Sequence, residues 1–120
     1  MKRKLTITLD ADWKNMLRNA GSIARKGLDS GHYQGEHLNF ETPAILFSRL
    51  TPNRWEMVRT LQGNSPLGVR ELARHLGRDV RRVHDDAKVL LELGLIEKSR
   101  EGKLFCPYED IHLDMHMKAA

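Results

Sequence analysis

Residues 66–107 read PLGVRELARHLGRDVRRVHDDAKVLLELGLIEKSREGKLFCP, and their pattern decides the fold. Leu72, Ala73 and Leu76 fall on one face of a first helical segment, 69–76. Gly77 follows at the position where a helix stops, because glycine enters the left-handed region at little cost. Asp79 is placed to cap a second helix by accepting from free amides of its first turn. Val80, Val83, Ala87, Leu90 and Leu91 then recur at steps of three and four, which predicts one inward stripe. Arg81, Arg82, His84, Asp85 and Lys88 fall on the remaining sides. Ala73 is small enough for a close helix crossing, and Gly77 allows the sharp connection between the two segments. Leu93, Gly94 and Leu95 close the second helix. The runs 95–98 and 103–106 flank Ser99, Arg100, Glu101 and Gly102, a hairpin pattern around a glycine-containing turn.

Two helices joined by a tight turn and followed by a hairpin describe a winged helix-turn-helix, with the hairpin as its wing. The run RELARHLGRDVRRVHDDAKVLLELGLIEKSREGKL resembles the winged helix-turn-helix of predicted prokaryotic transcriptional regulators, distantly like the multiple-antibiotic-resistance regulators. The chain is also similar to small DNA-binding proteins often encoded beside toxin-like proteins. That resemblance implies an antitoxin role with a small toxin protein as partner. Two positions depart from the pattern. Gly68 stands where a Ser or Thr cap is common, and Asp86 stands where many such helices carry an apolar residue.

Charge coincides with the motif. The chain carries a formal charge of +4, which permits nucleic-acid binding without identifying it. Between Arg70 and Arg82, however, five arginines face only Glu71 and Asp79. Arg81 and Arg82 lie in the first turn after the cap, where a reading helix reaches base edges; arginine donates twice to guanine O6 and N7. Arg70, Arg78 and Lys88 are expected at phosphates, as are Lys98, Arg100 and Lys103 from the wing. His84 is expected at the surface or facing DNA. Asp86 is expected to pair with a basic residue of the preceding helix.

Working outward, Leu50, Thr51 and Pro52 form a helix start, with Thr51 as cap and Pro52 at the first helical position. Leu50 and Trp55 occupy the positions of a hydrophobic staple. Trp55, Val58 and Leu61 give an inward face that Gly63 to Pro66 terminates. Upstream, Leu5, Ile7 and Leu9 alternate with Thr6 and Thr8, a half-buried strand. Asp10 can cap a helix with the stripe Trp13, Met16, Leu17, Ala20, Ile23 and Ala24, ended by Gly27. Residues 28–35 read as a loop, 37–41 as a short strand and 44–49 as a short helix. At the far end Ile111, Leu113, Met115 and Met117 alternate with polar residues, a strand with one wet face. The first and last strands are expected to pair, within one chain or across a dimer. A strand followed by a helix also begins ribbon-helix-helix proteins. That fold needs a second long helix after a short turn, whereas a loop and a strand intervene here.

Other chemistry finds little support. Cys106 is the only cysteine, so no internal disulfide is expected, and it reads as a small hydrophobe. His112 and His116 are four apart on a strand, roughly 13 Å from each other, too far to share an ion. No metal site or cofactor is expected. There is no GxxxxGK followed by Ser or Thr, no GxSxG and no HExxH, so no enzyme is expected. No run is apolar enough for a membrane span, and the basic start is not followed by an apolar stretch. The expected location is the cytoplasm.

The expected architecture is α+β: an N-terminal strand-helix-strand extension over 1–50, for dimerisation or partner binding, then a winged helix-turn-helix with a C-terminal strand over 51–120. The expected function is sequence-specific binding of double-stranded DNA by a homodimeric regulator, a repressor or antitoxin-type autorepressor. The alternative is a winged-helix protein-interaction module that does not read DNA.

Overall fold

The computed structural model describes residues 3–9, 35–117 and 119. Its elements are β1 (Arg3–Leu9), β2 (Glu36–Phe40), α1 (Pro43–Arg49), α2 (Pro52–Leu61), α3 (Val69–Leu76), α4 (Val80–Leu93), β3 (Glu97–Lys98), β4 (Leu104–Phe105) and β5 (Tyr108–Asp114). The chain is mixed α+β, as expected. The helix expected over 13–24 lies outside the described residues, as does nearly all of the loop expected over 28–35. Contacts divide the chain into two units. One runs from Met1 to Ser48 and takes in Asp110–Ala120; the other is Arg49–Glu109. The residues of the C-terminal strand from Asp110 onward thus group with the N-terminal segment.

The first unit holds a three-stranded sheet of order β2-β1-β5. The expected neighbourhood of the first and last strands is met within one chain. The partner on the other edge is a finding: β1 pairs with β2 in parallel, with Leu5 opposite Glu36 and Leu9 opposite Phe40. Parallel strands need a long crossover, and segment 10–35 supplies the length. Leu5, Ile7, Phe40 and Leu46 are buried. Arg3 and Glu36 add a two-pronged ion pair at the strand ends, 2.9 and 2.6 Å.

In this unit α1 buries little, and one expectation, the extent of the last strand, is corrected. Of the apolar residues of α1, only Leu46 is buried, while Ile45 and Phe47 are exposed. The last strand starts at Tyr108 and stops at Asp114, so Met115 and Met117 lie beyond it. Its apolar side is thin: Ile111 is half-buried and Leu113 is exposed. Alternation in sequence could not set its end, because a ladder runs no further than its partner, and β1 and β5 each have seven residues.

The second unit shows local chemistry setting each helix end. Thr51 caps α2 by accepting from the Arg54 amide, and Pro52 begins the helix. Met57, Val58 and Leu61 are its buried residues, whereas Trp55, expected inside, is only half-buried. Gly68 caps α3 without a side-chain bond. Gly77 ends it at φ 64°, with its own N–H on the Arg74 carbonyl and that of Arg78 on Ala73. This is the left-handed stop in which two orphan carbonyls are satisfied. Gly94 repeats it after α4, where Leu95 N–H reaches the Leu90 carbonyl and both leucines are buried.

Asp79 accepts from the Arg82 amide at 3.3 Å and so starts α4. Val83, Ala87 and Leu90 are buried as the stripe predicts. Val80 is not: it is 42% exposed, because the first turn of α4 projects beyond the core that its later turns cover. β3 and β4 pair antiparallel, Glu97 with Phe105 and Lys98 with Leu104, as a hairpin shorter than the runs in the sequence. Leu67 joins its far edge through two bonds with Leu104, 2.9 and 2.7 Å, which the sequence did not suggest.

Candidate nucleic-acid interface

The cationic side chains singled out in the sequence fall into two groups once folded. Arg70, Arg81, Arg82, His84 and Lys88 are exposed on α3 and α4. Lys98, Arg100 and Lys103 are exposed on the hairpin. Arg81 and Arg82 are the second and third residues of α4, beside the free amides of its N-terminus, where the helix dipole favours anions. His84 lies 3.9 Å from Asp85, both largely in solvent.

Arg78 behaves differently. Its guanidinium donates to Asp86 at 2.7 Å, and Arg54 of α2 donates to the other carboxylate oxygen at 3.0 Å. The side chains of Arg78 and Asp86 retain only 19% and 15% exposure. The second nitrogen of Arg78, Nη1, is buried without a hydrogen-bond partner. A cation held so far inside is poorly placed for a phosphate. Asp86 does pair with basic residues, but they come from the turn and from α2 rather than from the helix preceding α4. Arg54 is the residue missed by sequence reading. Its partner's presence in an apolar slot was the signal that something basic must meet it.

Arg54 also donates to the carbonyl of Arg49, 2.8 Å away, and Arg49 in turn pairs loosely with Glu92 at 3.6 Å. One half-buried carboxylate thus ties α2 and the turn to α4. That fixes the attitude of the arginine-bearing turn relative to the core behind it.

The hairpin turn is built to present its cations. The Ser99 amide donates to the Lys103 carbonyl at 2.7 Å, the Ser99 hydroxyl accepts from the Lys103 amide at 3.1 Å, and Gly102 takes φ 79°. Between hairpin and helix lies a cleft of about 340 Å³, which brings together His84, Lys88 and Lys98 with Val69, Ala87, Leu91, Gly102 and Leu104. A shallower hollow of about 360 Å³ touches Glu71, Arg74 and His75.

Elsewhere the structure offers less chemistry. His116 meets Asp114 at 3.1 Å. Among the described residues no three His, Cys, Asp or Glu side chains converge on a possible metal position, and no helix is long and apolar enough to cross a membrane. The Cys106 thiol is half-buried and donates to the Tyr108 carbonyl at 3.7 Å.

No curated protein and no solved structure matches the chain. The HVO_A0114 family model matches residues 49–113, beginning at the first residue of the second unit and running into β5. The match covers more than half of the sequence, and the chain is a member of the HVO_A0114 family.

Proposed function

We propose that this chain is a sequence-specific DNA-binding transcriptional regulator whose second unit acts as a winged helix-turn-helix. In this reading α2, α3 and α4 form the helical body, α4 reads the major groove and the β3–β4 hairpin is the wing. The carrying observation is the division of α4: Val83, Ala87 and Leu90 are buried while Arg81, Arg82, His84 and Lys88 stand in solvent. The bridge from Leu67 to Leu104 supports the wing assignment, since it fastens the hairpin to the segment before α3.

Arg81 and Arg82 take the base-reading role, with bidentate donation to guanine. Arg70, Lys88, Lys98, Arg100 and Lys103 neutralise phosphates, which sets affinity rather than sequence preference. Arg78 is assigned to holding α4 in place. The protein acts as a homodimer on two half-sites about 34 Å apart. It represses by occluding a promoter, and a version in which it silences its own operon beside a small toxin protein follows from the resemblance.

A mobility shift with the upstream region of the protein's own gene tests this. The expected result is a specific complex that is lost with Arg81→Ala plus Arg82→Ala. Equal and equally specific binding by that double variant overturns the assignment of α4.

A second reading, a protein-interaction module that does not touch DNA, is favoured by exposed Ile45 and Phe47, 42% and 53% accessible on α1. Salt separates the two. DNA binding weakens steeply with salt, about 0.9 log units per phosphate contact for each log unit of salt, whereas an apolar protein contact does not.

A further inference from the structure

We propose that the cleft between α4 and the hairpin is a binding site for a small aliphatic carboxylate. His84, Ala87, Lys88 and Leu91 recur at steps of three, one and three, so they share one side of α4. This side forms one wall. Lys98, Gly102 and Leu104 form the other, and Val69 at the start of α3 completes the lining. Ala87 and Leu104 are buried and make the floor, while His84, Lys88 and Lys98 are exposed at the rim. Gly102 keeps the hairpin side open, since nothing lies within 4 Å of where its side chain would begin.

The lining selects its occupant. It contains two ammonium groups and an imidazole but no carboxylate. Asp85, Glu97 and Glu101 each adjoin a lining residue in sequence, yet none of them lines the cleft. That rim calls for an anion. A bare phosphate would leave the half-buried Val69 and Leu91 wet, whereas an anion with an apolar body covers them. No aromatic ring lines the cleft, so an alkyl chain suits it better than a flat ring that needs stacking. The volume, about 340 Å³, falls within the range of small-molecule sites and holds roughly ten water-sized groups, enough for a medium-length chain. Lys88 and Lys98 are also assigned above to DNA phosphates. An occupied cleft therefore competes with DNA, a consequence that rests on the regulator reading.

The test is a titration of the full chain with sodium octanoate, followed by methyl and backbone nuclear magnetic resonance, with 1-octanol and inorganic phosphate in parallel. Saturable shifts centred on Val69, Ala87, Leu91 and Leu104 are expected for octanoate. Lys88→Met with Lys98→Met keeps the apolar stems and should weaken octanoate about tenfold or more while sparing octanol. Lys88→Gln alone gives a smaller loss and guards against a misfolded double variant. Octanol or phosphate binding as tightly as octanoate, shifts centred elsewhere, or undiminished octanoate binding by the variants would each overturn the site. A mobility shift in octanoate then reads the competition. If octanoate binds and no DNA does, the regulator reading fails and the site stands. If DNA binds and octanoate does not, only the site fails. If both bind without interfering, the competition is wrong.

Discussion

Arg78, in the turn just after Gly77, donates to Asp86 of α4, Nη2 to Oδ2 at 2.7 Å, and so ties the turn to the helix that follows it. Arg54 shares the same carboxylate, which leaves Asp86 answering to two cations with little solvent around it. Asp86→Ala should therefore strand two guanidinium groups and cost about 2–3 kcal/mol, below the full penalty for a completely buried pair. Urea unfolding measures this. Combined with Arg78→Ala, the loss should fall short of the sum of the single losses by about 1 kcal/mol or more; additive losses would mean that the two residues act separately.

Gly68 is an unfilled opportunity at the start of α3. Its backbone is extended, φ −68°, and a side chain there would meet only the Glu71 carboxylate at an ordinary 3.7 Å. Gly68→Ser should supply a hydroxyl cap and, with Glu71 three residues on, complete a capping box. A gain of a few tenths to about 1 kcal/mol is expected in thermal or urea unfolding. Gly77→Ala should do the opposite and cost about 1 kcal/mol, because the residue sits at φ 64°.

Val80 and Leu90 lie on the same helix and were both expected to face inward, yet only Leu90 is buried. Leu90→Ala should cost about 2–5 kcal/mol through lost burial and a cavity. Val80→Ala should change stability by less than about 0.5 kcal/mol. Comparable losses at the two sites in chemical denaturation would contradict the exposure of the first turn.

The hairpin cations and the α4 arginines should separate in DNA binding. Lys98→Gln and Lys103→Gln should each weaken all sequences alike and lower the salt slope by about one. Arg81→Ala and Arg82→Ala should instead flatten preference among sequences. Fluorescence anisotropy over a salt series, on a specific and an unrelated duplex, distinguishes the two behaviours.

What could be read from the chain beforehand follows a physical line. Thr51, Gly77, Asp79 and Gly94 were legible because a cap or a left-handed stop is decided by a residue and its immediate neighbours. The place of the hairpin and its glycine-containing turn was legible for the same reason, but its register, with Lys98 opposite Leu104, was not. Arg54 was not, because its partner Asp86 is 32 positions away and only the folded unit brings them together. The pairing of β1 with β2 likewise depends on residues far apart in sequence. The end of β5 depends on how much strand its neighbour offers, and the exposure of Val80 on how far the core extends. None of these is a property of a local pattern. The basic side chains were legible as a set; that Arg78 is drawn inward while the others remain in solvent was not.

The strand order β2-β1-β5 has a consequence for how the molecule is made. The middle strand of that sheet leaves the ribosome first, and one of its flanking strands only after Arg49–Glu109 has been synthesised. The uninterrupted unit can therefore acquire its structure while the other is still missing an edge. A nascent chain halted before Tyr108 would carry a sheet lacking β5, beside helices already able to form. Synthesis of β5, rather than that of β1 and β2, marks the moment at which this sheet can close.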